Sequence, residues 1–339
     1  MMRAGRKGAI LVLVMFVLVI LTMVSVSLAF RAGLQSRTAG EALVRTRLRS
    51  HATSALAIAV FRLTQNTNDF DHPAEPWCTH EPLASDGWVP EWGQAGRAAA
   101  YVTDYQVVDE EGKLNVLTAS EEVLKKLGMT DEQVASLMDW MDPDDIPRAG
   151  GAESDYYLGL ATPYRCKNAP IEILEELLLI RGFGLKGFYG EHPERYQIPG
   201  PDGRTSEIGS SLTRPGWVDL LTCVGDGRID INTAPEAILR ALPLTEEAIG
   251  QIIGYRAYGT ATTDNLEEHA FRSFEDIDQL QGLTDADRSV LHQLARFRSD
   301  HFRVFVQSRH LKSGMRYELE ALVRMNGQKA EFLQWKVKE

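Results

Sequence analysis

The sequence predicts an α+β protein in which a very long N-terminal helix packs on an antiparallel sheet interrupted by a large, mainly helical insertion. Three observations carry this. An uncharged apolar run near the N-terminus passes without a break into an amphipathic one. Residues 301–339 are three strand-like runs joined by turn signals. Between these ends lies a long stretch of helical patterning that repeats itself.

The apolar run is 22 residues, Ala9 to Phe30, with no charge, proline or glycine. As a helix it measures roughly 33 Å, enough for a bilayer core of about 30 Å. It is too long for a secretory apolar region of about 7–15 residues, although Ser27-Leu28-Ala29 offers a small-x-small cleavage pattern at its far end. Arg3, Arg6 and Lys7 precede the run, and Arg31, Arg37, Arg45, Arg47 and Arg49 follow it. Flanking charge alone therefore does not orient it. Leu34, Leu43, Val44, Leu48, Ala52, Ala55, Ala59 and Leu63 then recur at roughly helical spacing, and no proline interrupts the chain before Pro73. The spacing predicts one helix from Ala9 to Thr64, a membrane-spanning half over 9–30 and an amphipathic half over 31–64.

Residues 65–117 are read as a loop followed by the first strands. Pro73, Pro76, Pro82, Pro90, Gly87, Gly93 and Gly96 block both helix and central strand. In AAYVTDYQVVDEEGKLNV, Tyr101, Thr103, Tyr105 and Val107 alternate and Glu111-Gly112 marks a turn, which predicts a strand and a hairpin. At the C-terminus Tyr317, Leu319, Ala321 and Val323 share one strand face, and Asn326-Gly327 is a strong hairpin signal. That face suits the second half of the long helix.

The insertion, residues 118–300, holds an internal repeat. GKLNVLTASEEVLKKLGMTDEQVASLMDWM (112–141) aligns without gaps on GRIDINTAPEAILRALPLTEEAIGQIIGYR (227–256). Thr118 with Glu121, and Thr233 with Glu236, have capping-box spacing. Thr130 and Thr245 stand where they would cap a second helix in each unit, and Pro235 suits a helix start. APIEILEELLLIRGF and RSFEDIDQLQGL follow the two units. Together they read as two helix-hairpin-helix or SAM-like modules.

Helix-hairpin-helix units often bind DNA through Gly-rich turns, but the corresponding turns here, KLGMTDEQ (126–133) and ALPLTEEA (241–248), are acidic and lack paired glycines. The net charge is −11, from 36 basic and 47 acidic side chains, a poor match for a polyanion. Gly182, Gly184 and Gly187 form a GxGxxG pattern, yet it follows a helical run rather than a strand, so it reads as a helix end and turn. No constellation of catalytic residues is nominated, and no enzyme activity is expected. Cys78, Cys166 and Cys223 are neither a disulfide framework nor a zinc site; one bridge plus a free thiol and three inert thiols both fit. The densest acidic segment is DWMDPDDIPRAGGAESDYY (139–157), with Asp142, Asp144, Asp145, Glu153 and Asp155 around a Pro- and Gly-rich turn. Such a loop can supply the six to eight oxygens calcium needs. It can equally be a solvated loop of turn formers and caps, with Arg148 neutralising part of it.

Two resemblances bear on function. A long, half-apolar, half-amphipathic helix preceded by Arg6-Lys7-Gly8 resembles the start of a type IV pilin-like subunit, and Gly8 and Ala9 look like the two sides of a prepilin peptidase cut. Pilin-like subunits usually carry Glu at the fifth mature position; here it is Leu13. DWMDPDDIPRAGGAESDYYL, YRCKNAPIEILEELLLIRGF and DGRIDINTAPEAILRALP then resemble, in order, the signature blocks of the type II secretion minor pseudopilin K family, in which that Glu is typically absent. The resemblance implies a pilin-like fold with an inserted helical domain, a 1–8 leader, a single-pass inner-membrane anchor and a periplasmic C-terminal domain. It implies partners among the I and J class minor pseudopilins, the pseudopilus and the inner-membrane secretion platform, at the tip of a fibre that pushes folded proteins across the outer membrane. It also implies calcium in the periplasmic region, without assigning ligands. A minor pilin of a type IV pilus-like system would share the N-terminus, and a membrane-anchored DNA receptor would share the INTA motif but needs a basic face.

Overall fold

The computed structural model describes residues 5–78, 101–190, 215–257 and 269–338. Helix α1 (Gly5–Gln65) is continuous, starting four residues before Ala9. From Leu11 to Phe30 it is exposed throughout. Farther along, Leu48, Ala52, Ala55, Leu56, Ala59 and Leu63 are buried, while Leu34 and Leu43 from the same periodic set stay exposed. The alanines let the helix lie close to the sheet, and each buried leucine contributes about 2 kcal/mol.

Strand β1 (Tyr101–Asp109) runs alongside α1 in the same direction: His51 stacks on Tyr101 with ring centroids 5.2 Å apart, and Arg62 lies 5.8 Å over Tyr105. The strand ends at the pole of the body remote from the exposed half of α1. The expected hairpin does not form there. Strand β2 (Leu114–Asn115) leaves the sheet and pairs in parallel, within the insertion, with the later β3 (Leu221–Thr222). Gly112 is at a turn, but its role is tertiary, since a side chain there would strike Thr233.

Between those two short strands come α2 (Glu121–Lys126), α3 (Asp131–Met141), α4 (Ser154–Leu158), a 3₁₀ turn (Leu174–Leu179), α5 (Leu185–Tyr189) and α6 (Trp217–Leu220). The run IEILEELLLI is thus 3₁₀ rather than α, and Gly182 makes the expected turn (φ 86°) but leads into the short α5. The second unit runs β4 (Ile229–Asp230), α7 (Glu236–Ala241), α8 (Glu246–Ala257), α9 (Phe274–Asp278), α10 (Asp285–Leu294) and β5 (Ala295–Arg296), with β4 and β5 again parallel. The units meet reciprocally: a Cβ on Gly112 would collide with Thr233, and one on Gly227 with Thr118.

That reciprocity corrects the capping assignment. Ser120, not Thr118, caps α2 by accepting from Val123 N, and Pro235 precedes α7, while Thr233 donates to Asp109. Thr130 and Thr245 cap α3 and α8 as expected. One buried cluster fills the insertion, including Leu124, Leu137, Trp140, Tyr157, Leu177, Phe188, Ile238, Ile252 and Phe271.

The chain returns to the body through β6 (His301–His310), β7 (Arg316–Asn326) and β8 (Lys329–Lys338), giving a four-stranded antiparallel sheet of order β1-β6-β7-β8. Phe302, Val304, Val306, Tyr317, Leu319, Ala321 and Val323 face α1 and form the second core. Asp109 pairs in register with Phe302, so the insertion leaves and rejoins the sheet at one place.

That junction is rich in buried acids. Ser299 donates its N–H to Asp71 Oδ2 (2.6 Å) and its hydroxyl to Asp109 Oδ2 (2.8 Å), and the same hydroxyl lies 3.4 Å from Asp230 Oδ2. Thr233 Oγ1 also donates to Asp109 Oδ2 (2.5 Å). Next along β1, Glu110 Oε1 accepts from Lys113 Nζ and Arg303 Nε, both at 2.7 Å, and Thr222 Oγ1 donates to its Oε2 (2.8 Å).

Candidate functional site

The acidic segment hangs between α3 and α4, and both ends are held by aromatic packing. Trp140 meets Tyr157 edge-on at 5.3 Å, and Tyr157 stacks on Tyr164 at 5.2 Å. Inside the loop Asp139 is fully buried and accepts from the Arg148 N–H (3.2 Å), while Arg148 Nη1 bonds Asp139 Oδ1 (3.3 Å) and Asp142 Oδ2 (2.6 Å). Gly151 passes so close to the Asp139 carboxylate that any side chain would collide with it. These contacts fold the loop inward and bring its ends together.

Asp142, Asp144 and Glu153 offer carboxylate oxygens within 4.8 Å of one another. The other two acids of the sequence set lie apart from this group. Asp145 Oδ1 accepts from Ser154 Oγ (2.9 Å) and Asn168 Nδ2 (3.2 Å), which hold its carboxyl below the usual range. Asp155 is exposed in the first turn of α4.

The polar bookkeeping around the three is incomplete. Asp142 Oδ1 and both oxygens of Glu153 are buried without a hydrogen-bond partner, and so is Asn168 Oδ1. Glu153 abuts the Cys166 thiol, a weak donor that points at the Asp139 carbonyl (3.6 Å). Burial, then the neighbouring carboxylates of Asp139, Asp142 and Asp145, push the Glu153 carboxyl up. Unpaired buried carboxylate oxygens are costly, and a hard cation satisfies several at once. Sequence reading missed Asp139, whose pairing with Arg148 shapes the loop, and Asn168. Asn168 carries the one non-glycine positive φ among the described residues (48°), and its Nδ2 also bonds the Asp144 carbonyl at 2.8 Å. Nothing local in the sequence marks either.

Gly8 and Ala9 lie within α1, and Leu13 is exposed on it. Cys78, Cys166 and Cys223 are all free thiols in separate surroundings. Burial first pushes them up, to about 11, about 12 and about 11 respectively.

Residues 104–188, which include the acidic loop, match the family model for the first domain of type II secretion system protein K. This part of the chain is therefore similar to type II secretion system protein K, the family whose blocks the sequence resembles. A relative from Pectobacterium carotovorum subsp. carotovorum, type II secretion system protein K, is 25% identical over 219 residues. That match covers 62% of this chain and 57% of the relative. Among solved structures, the fold resembles a chain in the crystal structure of the GspK–GspI–GspJ complex from the type 2 secretion system of enterotoxigenic Escherichia coli, with a TM-score of 0.57, 13% identity, and coverage of 88% of this chain and 98% of that one. The family is a pseudopilin component of secretion machinery, and α1 carries the one described helix long and apolar enough to cross a membrane.

Proposed function

We propose that this protein is the tip subunit of a type II secretion pseudopilus, a structural and non-enzymatic part that assembles with minor pseudopilins of the I and J classes. In this reading prepilin peptidase cuts after Gly8, the span from Ala9 to Phe30 anchors the subunit in the inner membrane, and the body stands in the periplasm. Assembly on the inner-membrane platform then drives the fibre toward the outer membrane and its folded cargo.

One observation carries the tip position. The insertion is attached where β1 ends and β6 begins, at the pole of the body remote from the exposed half of α1. A shaft subunit needs that pole clear for the next subunit to stack, whereas a leading subunit can carry bulk there. Leu13 agrees, because a leading subunit has no neighbour ahead whose terminal amine would need a carboxylate partner. The acidic loop supports a second part of the reading. Asp142, Asp144 and Glu153 hold a calcium ion, which ties the start of α4 to the end of α3 and braces the insertion.

The test is co-expression of the full chain with I and J class pseudopilins in cells containing prepilin peptidase, followed by size-exclusion chromatography with light scattering and intact-mass measurement. A stoichiometric complex, with this chain lacking its first eight residues, is expected, and Gly8→Ala should leave the precursor whole. A lone monomer would remove the tip assignment, and normal cutting of the Gly8→Ala chain would remove the processing site.

A further inference from the structure

Among the described residues, the arginines that follow the apolar run are in no ion pair. Residues 31–49 hold five arginines against one acid, Glu41, whereas residues 50–339 hold 28 basic and 46 acidic side chains. We propose that this basic collar, together with the adjoining pole of the body, binds the phosphate headgroups of anionic phospholipids in the leaflet on the ectodomain's side. The proposal rests on reading Ala9 to Phe30 as a membrane span.

The collar continues onto the body. Arg37 and Arg45 lie eleven and three residues before buried Leu48, spacings that return to one helix face. They therefore sit on the side of α1 that faces the sheet. Arg45, Leu48, Met315, Arg316 and Tyr317 line a groove of about 360 Å³ at the end of the sheet, by the start of β7. At the same end of the sheet, on the face away from α1, Arg316 stands directly opposite Arg309 across β6 and β7, and Arg309 Nε is buried without a partner. Like charges so placed repel unless an anion joins them. Lys312 and Leu311 are exposed in the turn at the same pole. Among the described residues, none of Arg31, Arg37, Arg45, Arg47, Arg49, Arg309, Lys312 and Arg316 is in an ion pair.

Reach favours a lipid. Arg31 is the first residue after the apolar run, and Arg45 lies fifteen residues beyond Phe30, about 22 Å up an upright helix. Headgroups occupy about 5–7 Å beyond the hydrocarbon, and their potential extends about another 8–10 Å. A helix tilt of about 40°, the top of the usual range, toward the sheet side lowers the Arg45 backbone to about 17 Å, and its long side chain and the β6–β7 turn then reach that zone. Arginines on the translocated side work against the usual orientation signal, and a headgroup contact gives them a stabilising role there. An acidic protein partner is the rival, but nothing in this chain specifies one.

The test uses the full chain in nanodiscs of phosphatidylcholine and phosphatidylglycerol at ~3:1, extracted into mild detergent, with retained lipid measured by mass spectrometry. The ratio of phosphatidylglycerol to phosphatidylcholine should rise about fivefold over its bulk value, the factor one well-placed arginine gives at an anionic surface. The enrichment should vanish in an Arg37→Gln/Arg45→Gln/Arg316→Gln chain and survive in Lys125→Gln/Lys126→Gln, which removes charge from α2 instead. Equal retention in the wild-type and triple-variant chains would overturn the proposal. Displacement by inorganic phosphate at matched ionic strength would overturn it in favour of a soluble anion. Unchanged lipid with lost binding of partner pseudopilins would make the collar a protein interface. A chain that fails to enter the discs would strike the membrane span instead.

Discussion

Two regions of this molecule bury carboxylates, and they do so by different physics. At the junction between sheet and insertion, adjacent residues diverge. Burial, only partly offset by hydrogen bonds from Thr233 and Ser299, pushes the Asp109 carboxyl up to about 6. Asp71 and Asp230 are raised well above the usual range, by burial first and then by Asp109. Burial also acts on Glu110, but Lys113 and Arg303 outweigh it and bring Glu110 down to about 2. The junction thus satisfies its acids internally, with hydroxyls and protons on one side and cations on the other. In the acidic loop Arg148 reaches Asp139 and Asp142, while the oxygens of Glu153 and one oxygen of Asp142 stay unsatisfied. One region pairs its acids within the fold; the other leaves three carboxylate oxygens without a partner, which is what the proposed calcium ion would supply.

The largest effect should come from breaking the internal pair. Glu110→Ala leaves Lys113 buried without its carboxylate, and Arg303 keeps Glu320 (2.5 Å) and a longer bond to Gln334 (3.4 Å). Stranding buried charge costs about 3–5 kcal/mol. Urea unfolding of the full chain in detergent, followed by tryptophan fluorescence, should show a loss of that order; a loss under about 1 kcal/mol would mean that the pair behaves as a surface one.

The loop predicts the opposite kind of sensitivity, to solution rather than to sequence. Calcium at about a hundredfold over its dissociation constant adds about 2.7 kcal/mol, worth roughly 5–10 °C in melting temperature for a domain of this size. Glu153→Gln should erase the shift while costing little without calcium, because its oxygens have no strong partner to lose. An equal calcium shift in both proteins would move the ion elsewhere.

The difference between the regions also explains what was legible in the sequence. The long helix and the terminal meander followed from periodicity and turn chemistry, which are local. The five acids of the loop were visible as composition, but not which of them converge, since that depends on Arg148 reaching back to Asp139 and on the left-handed turn at Asn168. The junction was invisible. Glu110 meets Arg303 across 193 residues, and Thr233 reads as a helix cap until Asp109 claims its hydroxyl. The expected hairpin at Gly112 failed for the same reason: the glycine answers a close approach by Thr233, not a strand reversal.

The smallest effect tests the junction's protons. Asp109 is an acid whose folded value lies above its unfolded one, so the native state holds more protons between about pH 4 and pH 6. Its contribution to stability is full below the unfolded value and is lost as pH rises through about 6. Glu110 runs the other way: its contribution is present above about pH 4 and is lost as pH falls toward about 2. Above pH 4 the raised acids, Asp109, Asp71 and Asp230 with Glu75 and Glu153, make stability fall with pH, while the lowered imidazoles of His51 and His72 work the other way. Asp109→Asn keeps an acceptor for Thr233 and Ser299 while removing the titration, and it also relieves Asp230 and Asp71 of their charged neighbour. Stability measured from pH 4.5 to pH 7 should fall by roughly 1–3 kcal/mol in the wild-type chain and by visibly less in the variant. A profile that rises across this interval in both the wild-type chain and the variant would mean that the lowered imidazoles of His51 and His72, not the raised aspartates, set the slope.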